Sequence, residues 1–402
     1  MGDFFQNGVI TTVHKIRERP IAELESELKQ FSRTRPLALV LPSLYSELQG
    51  TALPKIIDEL QKIEYIQEIV IGLDRANNEE YEHAKVFFSQ LPQHHRVIWQ
   101  DGPGMIKLND MLKNHGLTIG DPGKGRNAWF CFGYVLAAGR TRVVAIHDCD
   151  ILTYSRNLLA RLYYPVAYSS FGFKYCKGYY ARVSDSLNGR VVRLFITPLF
   201  RSLKKILGQL EYLDYMDSFR YPLAGEFAMS TDVMETTRIP NDWGLEVGIL
   251  SDVYRNYALK QICQVDIADN YDHKHQRLSA DDPNKGLSKM TIDIAKSIYR
   301  TLASMGVVFS EEFFRTIKAT YMRTAFDFVD KYYYDAKING LAYDRHSEEE
   351  NVEVFIRSII IAGEQFLANP MEVPLIPSWR RVLAAIPEFY DLLFRTVEED
   401  NH

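Results

Sequence analysis

The sequence is poor in cysteine and lacks the spacings that cysteine-based sites need. Only four cysteines occur in 402 residues, Cys131, Cys149, Cys176 and Cys263, and no two of them form a C-x-x-C pair. Neither a zinc ribbon nor a thioredoxin-type redox motif is therefore present. Scattered single cysteines are typical of proteins in a reducing compartment, so we expect a cytoplasmic location.

Long apolar runs and stretches of one charge are also missing. The chain contains no run of about eighteen apolar residues, so we expect no membrane span. Its beginning, MGDFFQNGVITTVHKIRERP, lacks the apolar centre of a signal peptide. Lysine and arginine total 47 against 52 aspartates and glutamates, and both signs are interspersed. Without a basic stripe, nothing indicates a nucleic-acid partner.

What the sequence does contain, over its first 150 residues, is an alternation of short apolar runs and amphipathic segments. Apolar runs predict buried strands at 37–41, 66–73, 96–99 and 142–146. Helical spacing predicts helices at 21–31, 52–62 and 79–90, and a loop followed by a helix within 123–139. This alternation is typical of an α/β fold with a mostly parallel, doubly wound sheet flanked by helices.

The alternation breaks down after about residue 160. Aromatic-rich residues 163–180 predict mixed strands, and 191–213 predict a mainly helical stretch with a break or kink at Pro198. Helical spacing then predicts helices at 290–305, 311–333 and 348–367. We expect an N-terminal arm (1–33), a catalytic domain (34–285) with a nucleotide-binding half (34–150) and an acceptor half (151–285), and a helical C-terminal segment (286–402).

Polar side chains follow three of the predicted strands, at the point where each strand ends. They are Ser43, Asp74 and the pair Asp148 and Asp150. Ligands of such sheets bind outside the carboxyl ends of the strands, so we expect these side chains to converge. Two carboxylates at i and i+2 can hold a hard divalent cation that bridges a diphosphate. The alternative is a surface turn.

Two further segments are candidates for binding an anion. Lys124 lies between two glycines just before a helix, where backbone N–H groups and an ammonium can meet a phosphate. A flexible glycine loop is the alternative. Gly189 and Arg190 belong to the segment 188–193, which opens a predicted helix and offers amides and guanidinium groups. A capped helix with surface arginines is the alternative there.

A histidine and a glutamate complete the set of candidates. His273 can supply a nitrogen to Mg²⁺ or Mn²⁺ beside the aspartates, although a solvated polar loop over 271–275 explains it equally well. Glu246 stands among glycines in 243–248 and can orient sugar hydroxyls or stabilise an oxocarbenium-like state. The alternative for Glu246 is an acidic residue favoured by the dipole at a helix start.

Taken together and in this order, the segments resemble the glucosyl-3-phosphoglycerate synthases, retaining transferases of glycosyltransferase family 81. The resemblance spans roughly residues 37–277. Pro122–Gly125 with Ala128-Trp129 resembles the family's P-G-K-G-x-A-L-W, and His147–Asp150 its D-x-D strand end. The other resembling segments are Gly189–Val191 (G-R-V-T), Thr197–Leu199 (R-P-L), Pro222–Glu226 (P-L-G-G-E), Trp243–Gly248 (Y-G-V-E-I-G) and Gln264–Asp266 (Q-V-N) followed by His273.

The resemblance implies a GT-A fold and transfer of glucose from UDP-glucose or GDP-glucose to 3-phospho-D-glycerate, with a Mg²⁺ or Mn²⁺ cofactor and a homodimer. It also implies residue roles. On the donor side it implies that Pro42, Ser43 and Leu44 contact the nucleotide, that Asp74 binds the base, and that Lys124 binds the uracil or the diphosphate. Asp148 would bind the ribose or the metal, and Asp150 and His273 would ligate the metal. On the acceptor side, Gly189 and Arg190 would bind the acceptor, and Glu246 would lie beside the transferred glucose.

The sequence departs from the family in two places. The family's P-A-L-N-E-E reads P-S-L-Y-S-E at 42–47, which leaves base recognition open, and Val192 replaces a threonine in the acceptor segment. The basic neighbours Arg190, Arg193 and Lys274 still favour an anionic acceptor. For the helical segment after 286, a dimer contact and a lid both remain open.

Other functions stay open at this point. They are a mannosyl-3-phosphoglycerate synthase using GDP-mannose, a related transferase acting on free glycerate, and a non-catalytic sensor of nucleotide sugars. A polyprenyl-phosphate glycosyltransferase is disfavoured because a membrane segment and an amphipathic basic helix are missing.

Overall fold

The chain folds around one eight-stranded sheet. A computed structural model describes residues 4–6, 8–273, 286–371 and 375–402. The strands are β1 (Thr11–Val13), β2 (Leu37–Leu44), β3 (Ile66–Asp74), β4 (His94–Trp99), β5 (Val143–Ile146), β6 (Tyr175–Tyr180), β7 (Phe227–Ser230) and β8 (Ile262–Ala268). They lie in the order β1-β8-β6-β7-β5-β2-β3-β4.

All strands except β7 run in one direction. The pairs β2–β3, β2–β5, β3–β4, β6–β8 and β1–β8 are parallel, and β7 is antiparallel to β5 and β6. Parallel strands covered by helices are buried on both faces, so their sequences are continuous apolar runs, as in residues 37–41. The predicted mostly parallel α/β sheet is confirmed.

Helices cover both faces of the sheet and form most of the chain after residue 286. They are α1 (Ile21–Phe31), α2 (Tyr45–Leu48), α3 (Ala52–Leu60), α4 (Asn78–Phe88), α5 (Pro103–Asn114), α6 (Lys124–Ala138), α7 (Arg156–Ala167), α8 (Thr197–Leu207), α9 (Glu211–Ser218), α10 (Thr231–Thr236), α11 (Leu245–Asn256), α12 (Gly286–Ser304), α13 (Glu311–Ile338), α14 (Arg345–Ala368), α15 (Trp379–Ala385) and α16 (Phe389–Asp400). No described helix is long and apolar enough to cross a membrane.

The structure corrects two expectations for the middle of the chain. Residues 163–180 are not mixed strands, because the first part belongs to α7, whose Leu159, Leu162, Tyr163 and Val166 are buried at helical spacing. Pro198 does not break a helix either. A π-helical stretch (Val191–Ile196) passes into α8, and Pro198 lies in the first turn of α8, where its missing N–H costs little.

The helices after residue 286 share a hydrophobic core with the sheet and α6. Trp379 stacks on Trp129 with ring centroids 3.9 Å apart, and the Trp129 indole N–H donates to the Pro377 carbonyl at 2.9 Å. Gly133 makes room for this stack, since a Cβ there would lie 2.1 Å from the Trp379 ring. The division at 285/286 stays a prediction.

The last helix also closes one edge of the sheet. β4 is an edge strand, and Val97 in it donates its backbone N–H to Oδ1 of Asn401 and accepts from Nδ2 of Asn401, both at 2.9 Å. Arg96 pairs with Glu398 at 2.7 Å beside this contact. A side-chain amide thus takes the place of a neighbouring strand.

Candidate active site

A cleft of about 1040 Å³ opens at the carboxyl ends of the parallel strands. Every site residue predicted from the sequence lies in its wall. They are Pro42, Ser43, Leu44, Asp74, Lys124, Asp148, Asp150, Gly189, Arg190, Glu246 and His273. The predicted convergence of strand-end residues is therefore present, although their roles stay predictions. Lys274, which the sequence also placed near the acceptor, lies outside the described residues.

One end of the cleft, here called the carboxylate end, consists of Lys124, Asp148, Asp150, Glu246 and His273. Lys124 Nζ lies 2.6 Å from Oδ1 of Asp148 and 3.2 Å from Oε1 of Glu246. Burial opposes the charge on Lys124, but the two carboxylates outweigh it and hold its pKa above the ordinary value. Burial would likewise raise the pKa of Asp148, and Lys124 lowers it below the ordinary value. Both groups are therefore charged at neutral pH.

The close approach at this end depends on Gly225. A Cβ at this position would lie 2.7 Å from Oδ2 of Asp148 and 3.0 Å from Nζ of Lys124. Neither distance leaves room for a methyl group unless the ion pair moves. Close packing against this ion pair therefore explains why residue 225 is a glycine.

Asp150 and His273 form a looser pair across two loops. A backbone bridge joins Ile151 to His273, and Leu152 donates its N–H to the Asp272 carbonyl at 2.9 Å. These contacts place Nδ1 of His273 3.6 Å from Oδ2 of Asp150.

This pair has the donor atoms that a hard divalent cation accepts. Oδ1 of Asp150 is buried and has no hydrogen-bond partner among the described residues. The described part of the chain contains no cluster of three or more His, Cys, Asp or Glu side chains able to hold a metal. The residues present fit an open site, in which a bound ligand would complete the coordination.

Behind the carboxylate end lies Glu226, which the sequence reading did not assign. Its buried carboxylate accepts hydrogen bonds from the hydroxyls of Tyr271 at 2.5 Å and Tyr180 at 2.9 Å. The two tyrosine rings stack with centroids 3.7 Å apart. Burial and the nearby charge of Asp148 raise the pKa of Glu226. The network fixes the floor of the cleft between β6 and the loop that carries His273.

Asp74 and Ser43 lie on a third part of the wall, at the end of β3 and near the end of β2. Asp74 is buried and accepts a hydrogen bond from the Arg75 N–H at 3.1 Å. Burial, followed by the charge of Asp101, raises the pKa of Asp74. Arg75 adopts a left-handed backbone with φ 56°, which a non-glycine residue rarely does, and this turns the chain sharply after β3.

The opposite end of the cleft, here called the arginine end, consists of Arg182, Arg190 and Arg193. A short hairpin, bridged between Val183 and Leu187, brings Arg182 beside the segment that carries the other two. Gly189 follows the hairpin with φ 71°, a left-handed conformation that favours glycine.

The guanidinium of Arg193 is fully occupied by contacts within the protein. This corrects the prediction that Arg193 helps to bind an anionic acceptor. Its guanidinium makes a two-pronged ion pair with Glu348, at 2.7 and 3.1 Å. It also donates to the carbonyls of Leu187 and Asn188, at 3.0 and 2.9 Å. Its charge is therefore compensated within the protein.

The C-terminal helices form part of this end of the cleft. Asn351 on α14 accepts a hydrogen bond from Nη1 of Arg190 at 3.4 Å. The cleft residues that come from the chain after 286 are Leu287, Lys289, Met290, Asp293, Ala342, Tyr343, Asp344, Ser347, Glu348 and Asn351. The sequence reading missed all of them, because the family resemblance ended near residue 277.

Comparison with known proteins places these features in a family context. No protein-family model matches the chain. The chain is 50% identical over 401 residues to the glucosyl-3-phosphoglycerate synthase of Persephonella marina, covering 100% of this chain and 99% of that protein. It is 38% identical over 406 residues to the same enzyme of Methanococcoides burtonii, covering 99% and 98%.

Solved structures share the fold. A glucosyl-3-phosphoglycerate synthase of Mycobacterium tuberculosis in complex with Mn²⁺, UDP-glucose and phosphoglyceric acid matches with a TM-score of 0.53 at 20% identity, over 75% of this chain and 89% of that one. A mannosyl-3-phosphoglycerate synthase of Rubrobacter xylanophilus matches with a TM-score of 0.53 at 21% identity, over 72% and 85%. The fold is therefore that of the GT-A glycosyltransferases, as predicted.

Proposed function

This chain belongs to the glucosyl-3-phosphoglycerate synthase family, and on that premise we propose that it transfers glucose from UDP-glucose to 3-phospho-D-glycerate with retention of the anomeric configuration. The observation that carries the proposal is one cleft with two chemically different ends. The carboxylate end suits a diphosphate bridged by a cation, and the arginine end suits a small anion.

At the carboxylate end, Asp150 and His273 would hold Mg²⁺ or Mn²⁺, with Asp148 beside them. The cation would supply charge stabilisation for the departing diphosphate. Lys124 adds an ammonium that stays charged at neutral pH, because two carboxylates flank it. In this role Lys124 stabilises negative charge that grows as the bond to the sugar breaks.

At the arginine end, Gly189 and Arg190 would bind the acceptor. The bond between the anomeric carbon and the diphosphate oxygen breaks, and a bond from that carbon to the acceptor hydroxyl oxygen forms. The hydroxyl proton passes to an oxygen of the departing UDP. Glu246, held 3.2 Å from Lys124, would orient the glucose hydroxyls and needs no covalent role in this front-face displacement.

A donor-by-acceptor assay tests the proposal. UDP-glucose, GDP-glucose and GDP-mannose are each offered with 3-phosphoglycerate and with free glycerate, with Mg²⁺ or Mn²⁺ present, and the product anomer is assigned by NMR. We expect turnover with UDP-glucose and 3-phosphoglycerate, loss in excess EDTA, and restoration by either cation. Turnover with GDP-mannose alone would overturn the donor, an inverted product would overturn retention, and a covalent glucosyl adduct on Glu246 would overturn the front-face step.

The cellular location and the oligomeric state of the protein are also proposals. All four cysteines are free and buried, which agrees with the proposed cytoplasmic location. A homodimer is proposed from the family resemblance, and size-exclusion chromatography with light scattering would test it.

A further inference from the structure

Arg182 lies at the arginine end of the cleft, and among the described residues it has no ion-pair partner. It follows β6, whose direction is that of the other parallel strands, so it reaches the same edge of the sheet as Asp148 and Asp74. Its carbonyl accepts the Asn188 N–H at 2.9 Å, which fixes the start of the hairpin next to Gly189.

The surroundings of Arg182 hold the side chain without neutralising it. Nη1 donates to the Tyr221 hydroxyl at 3.4 Å, and Nε is buried with no hydrogen-bond partner in the described ranges. Arg182 forms no ion pair with an acidic side chain of those ranges, and the titratable groups that act on it are tyrosines. A buried donor left unpaired costs free energy, and an anionic ligand would remove that cost.

Arg193 provides the internal comparison. It lies in the same wall of the cleft, but each of its guanidinium nitrogens donates to Glu348 or to a backbone carbonyl. Of the three arginines, Arg193 is therefore the structural one. Arg182 and Arg190 hold their donors beside the cavity, and a Cβ placed on Gly189 would lie 3.9 Å from Cδ of Arg182.

The acceptor carries more charge than one arginine can match. A phosphate monoester bears about −1.5 to −2 at neutral pH, and the carboxylate of the acceptor adds one further charge. Free glycerate bears only the carboxylate. A second guanidinium therefore matters far more for the phosphorylated acceptor than for the free acid.

We propose that Arg182 is the second cation of the acceptor site and the residue that makes the enzyme prefer a phosphorylated acceptor over free glycerate. This inference rests on the proposed function, and it assigns to this chain a specificity residue outside the family-like G-R-V segment.

The test compares Arg182→Gln, Arg182→Lys and the control Arg323→Gln, which removes a charge from an exposed arginine on α13. Initial rates with UDP-glucose are measured against 3-phosphoglycerate and against glycerate, and calorimetry measures 3-phosphoglycerate binding to protein saturated with UDP and Mg²⁺. Thermal unfolding checks that each variant is folded.

For Arg182→Gln we expect kcat/KM with 3-phosphoglycerate to fall about 10- to 100-fold, the range of one hydrogen bond between charged groups. The rate with glycerate and the KM for UDP-glucose should change less than about threefold, and Arg182→Lys should recover part of the loss. An unchanged preference for 3-phosphoglycerate over glycerate in folded Arg182→Gln overturns the inference and leaves the proposed function standing. A wild-type enzyme that neither binds nor glucosylates 3-phosphoglycerate overturns the proposed function first.

Discussion

At the carboxylate end of the cleft, opposite charges pair directly, whereas at the arginine end only Arg193 of the three arginines forms an ion pair among the described residues. Lys124 is balanced by Asp148 and Glu246, all from the α/β part of the chain. Arg193 is balanced by Glu348, which comes from α14. The comparison teaches that one end is organised by the sheet and the other by the C-terminal helices.

The largest expected effect comes from Asp150→Ala, which removes the carboxylate that faces His273. We expect kcat to fall at least about 10²-fold, because the cation loses a protein ligand and stabilises the departing diphosphate less well. The concentration of Mn²⁺ needed for half-maximal rate should rise, while the KM for 3-phosphoglycerate stays near the wild-type value.

Asp269→Ala is the matched control, since Asp269 is an exposed aspartate between β8 and His273. A wild-type rate and an unchanged Mn²⁺ requirement in Asp150→Ala would show that this end does not hold the cation.

Lys124→Met tests the charge balance of the carboxylate end. We expect kcat to fall about 10- to 10²-fold, because Asp148 and Glu246 are left facing one another and the departing diphosphate loses an ammonium. Since the pKa of Lys124 lies above its ordinary value, this loss should be constant between about pH 6 and 9.

Lys107→Met, at an exposed position on α5, serves as control. A loss confined to the KM for 3-phosphoglycerate would assign Lys124 to the other end of the cleft and break the comparison.

Glu348→Gln tests whether the C-terminal helices organise the arginine end. The change leaves the buried Arg193 without its anion, so we expect the free energy of unfolding to fall by about 3–5 kcal/mol. The hairpin that Arg193 clamps should loosen, raising the KM for 3-phosphoglycerate about three- to tenfold with the KM for UDP-glucose unchanged.

Glu349→Gln is a close control, since Glu349 is the next residue on the same helix and pairs with Arg345 at the surface. Equal effects of the two substitutions on acceptor KM would contradict a specific role for Glu348.

His94→Gln should have the smallest effect, and it concerns neither end. Burial, together with the charges of Arg140 and Arg96, lowers the pKa of His94 to about 4. The unfolded chain therefore takes up a proton that the folded protein refuses between about pH 6.5 and 4, and stability is lost as the pH falls through that window. Because the side chain is partly exposed, we expect on the order of 1 kcal/mol.

Urea unfolding of wild type and His94→Gln at about pH 7.5 and 5 measures how much His94 contributes to the pH dependence of stability. The variant should lose less stability than wild type on acidification, and its activity should be unchanged. A larger loss of stability on acidification in the variant than in wild type would contradict a lowered pKa of His94 in the folded protein.

The two ends also differ in how far the sequence predicted them. Asp74 ends β3, and Asp148 and Asp150 come just after β5. The rule that parallel strands end at one edge is sufficient to bring the three together. The same rule could have found Arg182, which follows β6, but the mixed strands expected over 163–180 left the direction of that strand open.

The arginine end needed information that local patterns do not carry. Arg193 and Glu348 are 155 positions apart, and Glu348 reads as an ordinary polar residue on a helix surface. Helices α12, α13 and α14 were predicted from their spacing within a few residues at most ends, yet spacing does not say which face a helix turns toward a cleft. Tertiary packing decided that.

The amide of Asn401 that closes the edge of β4 has a consequence for biosynthesis. Its partner Val97 leaves the ribosome 304 residues earlier. At roughly 5–20 residues per second, the edge strand waits about 15–60 s for the group that covers it. During that interval the nascent sheet exposes unpaired backbone groups to other chains, so efficient production should depend on holding chaperones more than the finished protein's stability would suggest.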